Sequence, residues 1–300
     1  FILPGYLGSW DHFRKNFADP IERDRDPVAR DRLKRLIQPF LLRRLKSGVL
    51  RDLPSRTEIN LSVELGEAEA AFYEALRSRA VEELTSGSAK KKAQEDPGKK
   101  AFQILAELTR LRRACCHPSL VDPKVGNTIS SAKLAAFSET VEEILAGRHK
   151  VLVFSQFVDH LAIIRAELDR NGITYQYLDG STPTKKRKEA VDAFQRGEGD
   201  VFLISLKAGG FGLNLTAADY VIHMDPWWNP ATEDQASDRA HRIGQTRPVT
   251  IYRLITKGTI EEKIVSLHHQ KRELAESLLA GSEDANVRLS PEDLLDLIRE

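Results

Sequence analysis

The chain has 300 residues, of which 41% are hydrophobic and 30% are charged, and its formal net charge is +1. This length is enough for one large domain or two small ones, each with its own core. The near-zero net charge excludes phosphate binding through the overall field, so any phosphate site has to be a local basic patch.

Cysteine content and hydropathy restrict the class of protein further. Cys115 and Cys116 are adjacent, and adjacent cysteines rarely bridge each other, so we expect no disulfide framework and a reducing compartment. No apolar stretch approaches the length that spans a bilayer, and no signal-peptide pattern opens the chain. Phe1 enters in the middle of a pattern, which predicts that the chain is a fragment of a longer protein.

The first half of the chain has a mainly helical pattern. Residues 1–56 are basic, and alternation of apolar and polar residues from Glu58 to Leu65 then predicts a half-buried strand. Helices are predicted at Glu67–Leu84, at Phe102–Cys116 and from Ser130 to Ala146. The apolar face of the first is predicted to consist of Ala71, Phe72, Ala75 and Leu76, and that of the second of Ile104, Leu105, Leu108, Leu111 and Ala114. The stretch from Thr85 to Lys100 is rich in Ser, Gly and Lys and predicts a mobile loop.

From Lys150 onward, short apolar strands alternate with helices. Strands are predicted at Val151–Phe154, Thr174–Leu178, Val201–Ser205, Tyr220–Met224 and Thr250–Ile255, and helices at Phe157–Arg170, Lys185–Gln195, Pro230–His241, Glu261–Leu279 and from Pro291. This alternation predicts an α/β fold with a mostly parallel sheet covered by helices on both faces. In such sheets, functional residues gather at the carboxyl ends of the strands.

Small polar residues and glycines follow three of these strands. They are Ser155 and Gln156, then Ser181 and Thr182, then Ser205, Lys207, Gly209 and Gly210. Hydroxyls and free N–H groups at helix N-termini bind anions, although Ser and Thr in such positions are also ordinary helix caps. Their repetition along one edge favours contact with a polyphosphate backbone.

Two neighbouring tryptophans follow the next strand, in the segment W-W-N-P. One of Trp227 and Trp228 can pack inward while the other projects, and a projecting aromatic can stack on or wedge into a nucleic acid. The alternative is that both tryptophans seal the edge of the sheet.

The segment from Asp234 to Gln245 carries two arginines, Arg239 and Arg242. On the predicted helix they share one face with Gln235 one turn earlier, and two guanidinium groups can grip a phosphate. Stabilising phosphoryl transfer in the manner of an arginine finger requires such a grip. The alternative is a surface ion-pair helix in which Asp234 and Asp238 are the partners.

The ordered motifs of the chain resemble the second motor lobe of SWI/SNF-type ATPases, which belong to helicase superfamily two. The matching strings are P-F-L-L-R-R-L-K from Pro39, R-R-A-C-C-H-P from Arg112, S-S-A-K-L from Ser130, V-F-S-Q-F from Val153, L-D-G-S-T from Leu178, A-G-G-F-G-L-N-L from Ala208, W-W-N-P from Trp227 and D-R-A-H-R-I-G-Q from Asp238. The resemblance implies a RecA-like sheet of the P-loop type with an inserted helical protrusion and a C-terminal brace helix. It also implies three parts: residues 1–56 as the tail of the first lobe and linker, 57–262 as the second lobe with its protrusion at about 67–118, and 263–300 as brace helices.

The same resemblance implies roles for single residues. Arg239 and Arg242 would be the arginine fingers, Gln235 a supporting contact to ATP, and Gly209 and Gly210 a coupling loop between nucleotide and DNA. Phosphates of the tracked strand would be held by Ser155, Gln156, Ser181, Thr182, Ser205 and Lys207. Trp228 would reach towards the minor groove.

The sequence contains no G-x-x-x-x-G-K-[ST] loop and no D-E-x-H after a strand. ATP and Mg²⁺ are therefore expected to be held mainly by the first lobe, and this chain alone is expected to hydrolyse ATP negligibly. No metal site is expected at Cys115, Cys116 and His117, because adjacent ligands lack the usual spacing.

The implied function is ATP-dependent translocation on double-stranded DNA that remodels protein–DNA complexes. The expected partners are duplex DNA, the first motor lobe and a remodelled protein, which would be a nucleosome in a eukaryote or a transcription complex in a bacterium; no membrane partner is expected. The location would be nuclear in a eukaryote and cytoplasmic or at the nucleoid in a prokaryote. Two alternatives stay open: a non-catalytic DNA- or protein-binding lobe, and a motor that acts on RNA or RNA polymerase complexes.

Overall fold

The computed structural model describes residues 5–22, 26–40, 53–85, 97–206, 208, 213–268 and 291–299. The chain divides into two compact units, one formed by Phe1–Arg51 and Ser266–Ser290 and the other by Asp52–Val265 and Pro291–Glu300. The assignment of residues 1–56, 57–262 and 263–300 to parts of a motor stays a prediction. Among the described residues, no helix combines the length and apolar character that crossing a bilayer requires.

The described part of the first unit is helical. It contains α1 (Trp10–Phe13), a π-helix (Arg14–Ala18), α2 (Asp19–Glu22), α3 (Pro27–Ile37) and a 3-10 turn (Gln38–Phe40). The Asp26 carboxylate caps α3 by accepting a hydrogen bond from the N–H of Val28 at 2.8 Å, and Pro27 opens the helix where no N–H is needed. Most of the P-F-L-L-R-R-L-K string lies outside the described residues.

The second unit is built on a six-stranded sheet in which every strand is parallel to its neighbours. The strands are β1 (Arg56–Val63), β2 (Val151–Ser155), β3 (Tyr175–Leu178), β4 (Val201–Ser205), β5 (Tyr220–His223) and β6 (Val249–Thr256). Their spatial order is β1-β6-β5-β2-β4-β3. The prediction of a parallel sheet is confirmed, and the predicted strand ends agree to within two residues.

Helices cover the sheet and extend from it. They are α4 (Glu67–Thr85), α5 (Pro97–Cys116), α6 (Ala132–Ala146), α7 (Val158–Arg170), α8 (Thr184–Gln195), α9 (Pro230–Ser237), α10 (260–268 as described) and α11 (Pro291–Arg299). The 3-10 turns Pro118–Leu120 and Val125–Asn127 join α5 to α6. The remainder of the helix predicted at Glu261–Leu279 lies outside the described residues.

Successive side chains of the central strands point to opposite faces of the sheet, and each face is covered by helices. The central strands therefore contribute to two separate cores. Leu152, Phe154, Phe202 and Ile204 pack on one face with Phe194 of α8 and Ala236 of α9. Val151, Val153, Val201 and Leu203 pack on the other face with Phe137 of α6 and Leu161 of α7. All of these side chains are buried, which fixes the register of the strands and therefore the positions of their ends.

A third core joins α4, α5 and α11. It contains Tyr73, Leu76, Ala80, Ile104, Leu108, Leu111, Leu295 and Ile298. The predicted apolar face of α4 is wrong in part, because Ala71 and Ala75 are exposed and the buried face is displaced to Tyr73 and Ala80. The larger apolar side chains decide which face is buried, since they remove more surface from water than alanine does.

Two further differences separate prediction and structure in this region. The loop predicted as far as Lys100 ends earlier, because α5 begins at Pro97, while the lysines at 90–92 lie outside the described residues. Leu105, predicted on the buried face of α5, is 44% exposed. It is one position away from Ile104, and adjacent positions on a helix face different directions.

His160 of α7 is a buried histidine whose two ring nitrogens have no hydrogen-bond partner among the described residues. Burial lowers its pKa to about 3, below the usual value near 6.5. Unfolding therefore takes up a proton below pH 6.5, and the stability contributed by neutral His160 is lost as the pH falls from about 6.5 towards 3. Asp225 has the opposite effect on the pH dependence of stability. Burial raises its pKa to about 6, so the folded chain takes up this proton before the unfolded chain does, and the stability contribution of Asp225 increases as the pH falls below about 6.

We expect His160→Leu to change the free energy of unfolding little at pH 7, because an unpartnered polar group is replaced by an apolar one. Between pH 7.5 and 5, the wild-type chain should lose about 2 kcal/mol more than the variant, from the proton uptake of this one side chain. Denaturant unfolding across that pH range measures the difference. The exposed His12 provides the control: His12→Leu should keep the wild-type pH profile, and an unchanged profile in His160→Leu would contradict the prediction.

Candidate functional site

The carboxyl ends of four neighbouring strands form one continuous edge, in the order β5, β2, β4, β3. Because all of the strands are parallel, their ends necessarily lie at the same side of the sheet. The predicted DNA-contacting residues Trp228, Gln156, Ser205 and Ser181 lie at or just after the ends of these strands, in that spatial order. The structure thus brings together along one edge Gln156 and Trp228, which are 72 positions apart in the chain.

The end of β2 is organised around a buried carboxylate, Asp225. The hydroxyl of Ser155 donates to Asp225 Oδ1 at 2.5 Å, and the N–H of Gln156 lies 3.3 Å from both carboxylate oxygens. Burial raises the pKa of Asp225 to about 6, against the opposing effects of Arg112 and Ser155. The hydroxyl of Ser155 is fully buried and faces Asp225, whereas Gln156 is half-buried. The side-chain Nε2 of Gln156 is itself buried and has no hydrogen-bond partner among the described residues.

The end of β3 is a turn held by the carboxylate of Asp179. Its Oδ1 accepts hydrogen bonds from the N–H and the hydroxyl of Ser181 at 2.8 and 2.7 Å, and from both equivalent groups of Thr182 at 3.1 Å. Desolvation raises the pKa of Asp179, but hydrogen bonds from Ser181, Tyr177 and Thr182 outweigh it and hold the pKa at about 2. Ser181 is exposed and Thr182 half-buried, so this turn presents both predicted residues at the edge.

Arg187 of α8 fastens two of the strand ends to each other. Its guanidinium group donates to the carbonyls of Thr182 at 2.7 Å, Gly180 at 3.1 Å and Asp179 at 3.2 Å, and to that of Ala208 at 3.0 Å. The first three carbonyls belong to the β3 turn, whereas Ala208 belongs to the loop after β4. None of the sequence motifs predicts this role for Arg187.

The end of β4 is described only in part. Ser205 is 2% exposed, and its carbonyl accepts a hydrogen bond from the N–H of Ala208 at 2.9 Å. Lys207, Gly209 and Gly210 lie outside the described residues. Their predicted roles in holding DNA and coupling it to nucleotide stay predictions.

The two tryptophans after β5 pack in different directions, and both are half-buried. Trp227 packs on the core shared with α8 and α9, and its backbone N–H donates to the carboxylate of the buried Glu233 at 2.8 Å. Trp228 packs on the core of α4, α5 and α11, with the Arg112 guanidinium carbon 5.2 Å from its ring. Trp228 is therefore anchored on one side by the helical protrusion.

The arginine-bearing segment corrects the predicted helix at Pro230–His241. The helix α9 ends at Ser237, and Asp238 is its C-cap, so Arg239 and Arg242 lie in the turns that follow and not on one helical face. Arg239 is half-buried, with its guanidinium carbon 5.6 Å from the Phe154 ring, and burial lowers its pKa to about 10. Arg242 and Gln235 are exposed, and Arg242 reaches the carbonyl of Leu213 at 3.5 Å.

Other residues of the Asp234–Gln245 segment fix its path. The side-chain amide of Gln245 donates to the carbonyls of Ala218, Ala240 and Thr216 at 2.8, 3.1 and 3.2 Å. His241 lies 2.8 Å from the carbonyl of Pro54. These tertiary bonds hold the chain in a non-helical path and leave the Arg242 side chain in solvent.

The carboxylates considered as partners for the arginines are engaged by a different cation. Arg56 of β1 contacts Asp234 at 2.8 Å and Asp238 at 3.4 Å. The surface ion-pair interpretation of the sequence therefore describes a real cluster, but its cation comes from β1.

Arg112 and Arg187 belong to none of the predicted sites, but the helical pattern of the sequence does indicate that they point inward. Arg112 continues the buried row of Leu108 and Leu111 on α5, and Arg187 precedes Phe194 by two turns on the buried face of α8. An arginine at an apolar position of an amphipathic helix indicates an inward guanidinium group with a specific partner. The sequence does not reveal which partner.

A cluster of potential metal ligands lies in the core, at a different position from the one considered in the sequence. The ligand atoms of Cys116, His160 and Asp225 all lie within 4.8 Å of one another, and all three residues are buried. Asp225 is already bonded to Ser155 and lies 3.8 Å from Arg112, whose positive charge opposes a cation, so we assign no metal there. His117 accepts a hydrogen bond from the N–H of Ser119 at 3.1 Å and caps the turn Pro118–Leu120.

Two family models match the chain. The SNF2-related domain matches residues 1–120, and the helicase conserved C-terminal domain matches residues 133–244. The second match includes every predicted DNA- and nucleotide-contacting residue, from Ser155 to Arg242.

Known proteins match over nearly the whole chain. A putative ATP-dependent helicase/translocase of Bacillus subtilis is 39% identical over 99% of this chain, which spans 32% of that relative. The Sulfolobus solfataricus SWI2/SNF2 ATPase core in complex with dsDNA is 36% identical, with a TM-score of 0.60, over 93% of this chain and 58% of that one. The chain thus spans about a third or less of the curated relatives it matches and more than half of this solved core.

The C-terminal domain of the same Sulfolobus ATPase matches almost completely. It is 31% identical with a TM-score of 0.58, and the match covers 75% of this chain and 90% of that domain. Fold, motif order and identity agree, and the chain therefore belongs to the SWI2/SNF2 ATPase family, of which it carries the C-terminal, RecA-like motor lobe.

Proposed function

We propose that this lobe grips duplex DNA along the carboxyl edge of its sheet and donates arginines to ATP held by a first lobe, so that the complete protein translocates on double-stranded DNA. The observation that carries the proposal is the row of four neighbouring strand ends bearing Trp228, Gln156, Ser205, Ser181 and Thr182. The ATP-dependent helicases and translocases of the family support the use of ATP.

The dimensions of the edge suit a nucleic-acid strand. Neighbouring strands are about 4.8 Å apart, so the three intervals from β5 to β3 span roughly 14 Å. A DNA strand advances about 3.4 Å per nucleotide along the helix axis, and this edge therefore matches roughly four nucleotides. Hydroxyl and amide groups donate well to phosphate oxygens, and such contacts position a protein without reading sequence. In the free chain the hydroxyls of Ser181 and Thr182 donate to Asp179, so phosphate binding would turn these two hydroxyls from that carboxylate to the phosphate oxygens.

Trp228 extends this edge at its β5 end. A half-buried aromatic ring that is anchored on one side can present its other side to a groove without moving its own backbone. The hydroxyls of the β3 turn lie three strands away, so the two ends of the edge would contact DNA at separate points. We assign phosphate contact to Gln156, Ser181 and Thr182, and groove contact to Trp228. Ser155 supports the same strand end through Asp225.

Of the described residues that we expect to contact ATP, Arg242 and Gln235 are exposed and Arg239 is half-buried. ATP bound with Mg²⁺ supplies the phosphoryl group that is transferred to water, and charge develops on that group in the transition state. A guanidinium group with five fixed donors stabilises such charge, and it stays protonated at every physiological pH. Arg239 keeps its charge as well, because a pKa near 10 is still well above neutrality. Neither the edge of the sheet nor the arginines identify the protein that the motor would remodel. The identity of that partner stays a prediction.

The proposal is tested in the full-length protein by its DNA-stimulated ATPase activity. Duplex DNA should stimulate the activity more than single strands or RNA. Trp228→Ala should raise the duplex concentration for half-maximal stimulation by about fivefold to hundredfold, which is the scale of losing one aromatic contact with bases. Trp10 is 68% exposed and lies outside the unit that carries the sheet, so Trp10→Ala serves as the matched control and should behave as wild type.

Two results would contradict the proposal. Equal stimulation by duplex, single strands and RNA would exclude duplex tracking and favour a motor with a broader or different track. Full-length protein with no nucleic-acid-stimulated ATPase activity, but with intact DNA binding, would favour the non-catalytic binding lobe.

A further inference from the structure

Arg112 occupies an unusual position for a charged residue. It lies on α5 of the helical protrusion and is 2% exposed, yet it belongs to neither the sheet nor the arginine-bearing segment. Burying a guanidinium group is costly unless specific partners compensate for its lost hydration. The partners therefore indicate what the residue does.

All of those partners lie at the ends of β2 and β5. Nη1 donates to the side-chain oxygen of Gln156 at 3.1 Å, and Nη2 donates to the carbonyl of Pro226. The guanidinium carbon lies 5.2 Å from the ring of Trp228 and 5.7 Å from that of Phe157. One planar cation thus contacts both strand ends, and two of its four partners are residues proposed above to contact DNA.

The geometry requires an arginine. The two donors reach different strand ends, one at β2 and the other at β5, while the guanidinium carbon lies over the ring of Trp228 at 5.2 Å. A lysine keeps the charge but has a compact ammonium group that cannot reproduce the planar fork or stack on a ring in the same way. Asp225, 3.8 Å from Nη2, balances the charge without taking up either donor.

We propose that Arg112 is a positioning residue for DNA binding. It holds Gln156 and Trp228 at a fixed separation and so links the proposed DNA-binding edge to α5 of the helical protrusion. The inference rests on the proposed function, because it requires Gln156 and Trp228 to contact DNA. Arg112 itself is buried too deeply to touch a phosphate. It acts through the other two residues.

This role predicts an unusual salt dependence for an arginine variant of a DNA-binding protein. When an arginine contacts phosphate directly, its loss lowers the slope of log affinity against log salt by about 0.9. Arg112→Lys should instead lower duplex affinity on the order of tenfold while leaving that slope unchanged, because no phosphate contact is lost. Duplex affinity of the full-length protein, measured at four or more salt concentrations, gives both quantities.

A double-mutant cycle separates positioning from general loss of structure. In the Trp228→Ala background, Arg112→Lys should have a much smaller effect on duplex affinity, because one of the residues that it positions is already absent. Arg113→Lys is the matched control: Arg113 contacts Leu120 and Asp159 and shares the Phe157 ring, but its bonds do not reach Gln156 or Trp228. It should retain wild-type affinity in both backgrounds.

The outcomes distinguish this inference from the function on which it rests. If Trp228→Ala and Gln156→Ala leave duplex affinity unchanged, the proposed DNA contacts fail, and the inference fails with them. If those variants weaken binding while Arg112→Lys is wild type, or if its effect is fully additive with Trp228→Ala, only the inference is overturned. If Arg112→Lys does not fold, the cycle between Gln156→Ala and Trp228→Ala replaces it, and strict additivity there would overturn the link through Arg112.

Discussion

Replacing Arg242 by alanine in the full-length protein is expected to lower the turnover number for ATP by about 10³- to 10⁵-fold, the range found for arginine fingers in phosphoryl transfer. Duplex affinity should stay within about twofold of wild type, because Arg242 follows α9 and does not belong to the strand ends that form the proposed DNA edge. The change removes an exposed side chain whose described hydrogen bond is a 3.5 Å contact with Leu213, so the fold should be unaffected.

Arg242 tests the arginine-finger hypothesis better than Arg239 does. The Arg239 guanidinium group lies against Phe154, in the core between the sheet and α9. Arg239→Ala would therefore remove packing together with charge. An activity loss in that variant could come from a rearranged segment, whereas the same loss for Arg242 comes from the missing cation.

The experiment measures turnover and KM at saturating duplex DNA. An arginine that acts only in the transition state lowers the turnover number, whereas one that only binds ATP raises KM and leaves turnover unchanged. Arg247 provides the control: it is exposed, five positions further along, and pairs with Asp219 at 3.3 Å. Wild-type turnover in Arg242→Ala, or an equal loss in Arg247→Ala, would contradict the hypothesis.

The sheet and the edge at which its strands end could be predicted from the sequence because both depend on local patterns. Strands such as Val151–Ser155 and Val201–Ser205 are continuous apolar runs between helices, which is typical of strands covered on both faces. Once the strands are parallel, the position of every following loop is determined. Ser181 and Gln156 could therefore be assigned to one edge without any knowledge of tertiary contacts.

The end of α9 and the partners of buried cations could not be predicted in that way. Residues 238–241 have no proline or glycine that would end a helix, and the helix ends because Gln245 and His241 bind carbonyls distant in sequence. Gly244 then turns the chain with a φ of +101°, a conformation that glycine adopts without strain. For Arg112, the helical pattern shows that the side chain points inward, but its contacts lie 44 and 114 residues away.

The buried ion pair of Lys133 and Glu261 gives the largest stability effect that we expect. Lys133 Nζ lies 2.6 and 2.5 Å from the two Glu261 carboxylate oxygens, and both side chains are fully buried. The ammonium group also donates to the carbonyl of Met224 at 3.0 Å, and the carboxylate accepts from the N–H of Thr256 at 2.9 Å. Four elements therefore meet at this pair: α6, α10 and the ends of β5 and β6.

Lys133→Met should lower the free energy of unfolding by about 3 to 5 kcal/mol, because it leaves the Glu261 carboxylate buried without its cation. The double variant Lys133→Met with Glu261→Met should recover most of that loss, since replacing a whole buried pair by apolar residues of similar volume is often neutral. Denaturant unfolding at pH 7 measures both.

Lys257→Met is the matched control, because that lysine forms an exposed pair with Glu64, and exposed pairs contribute little to stability. If Lys133→Met were as mild as this control, the pair would not be as desolvated as its burial indicates. If the double variant were less stable than Lys133→Met alone, the hydrogen bond that Glu261 accepts from the N–H of Thr256 would matter more than the charge of Glu261.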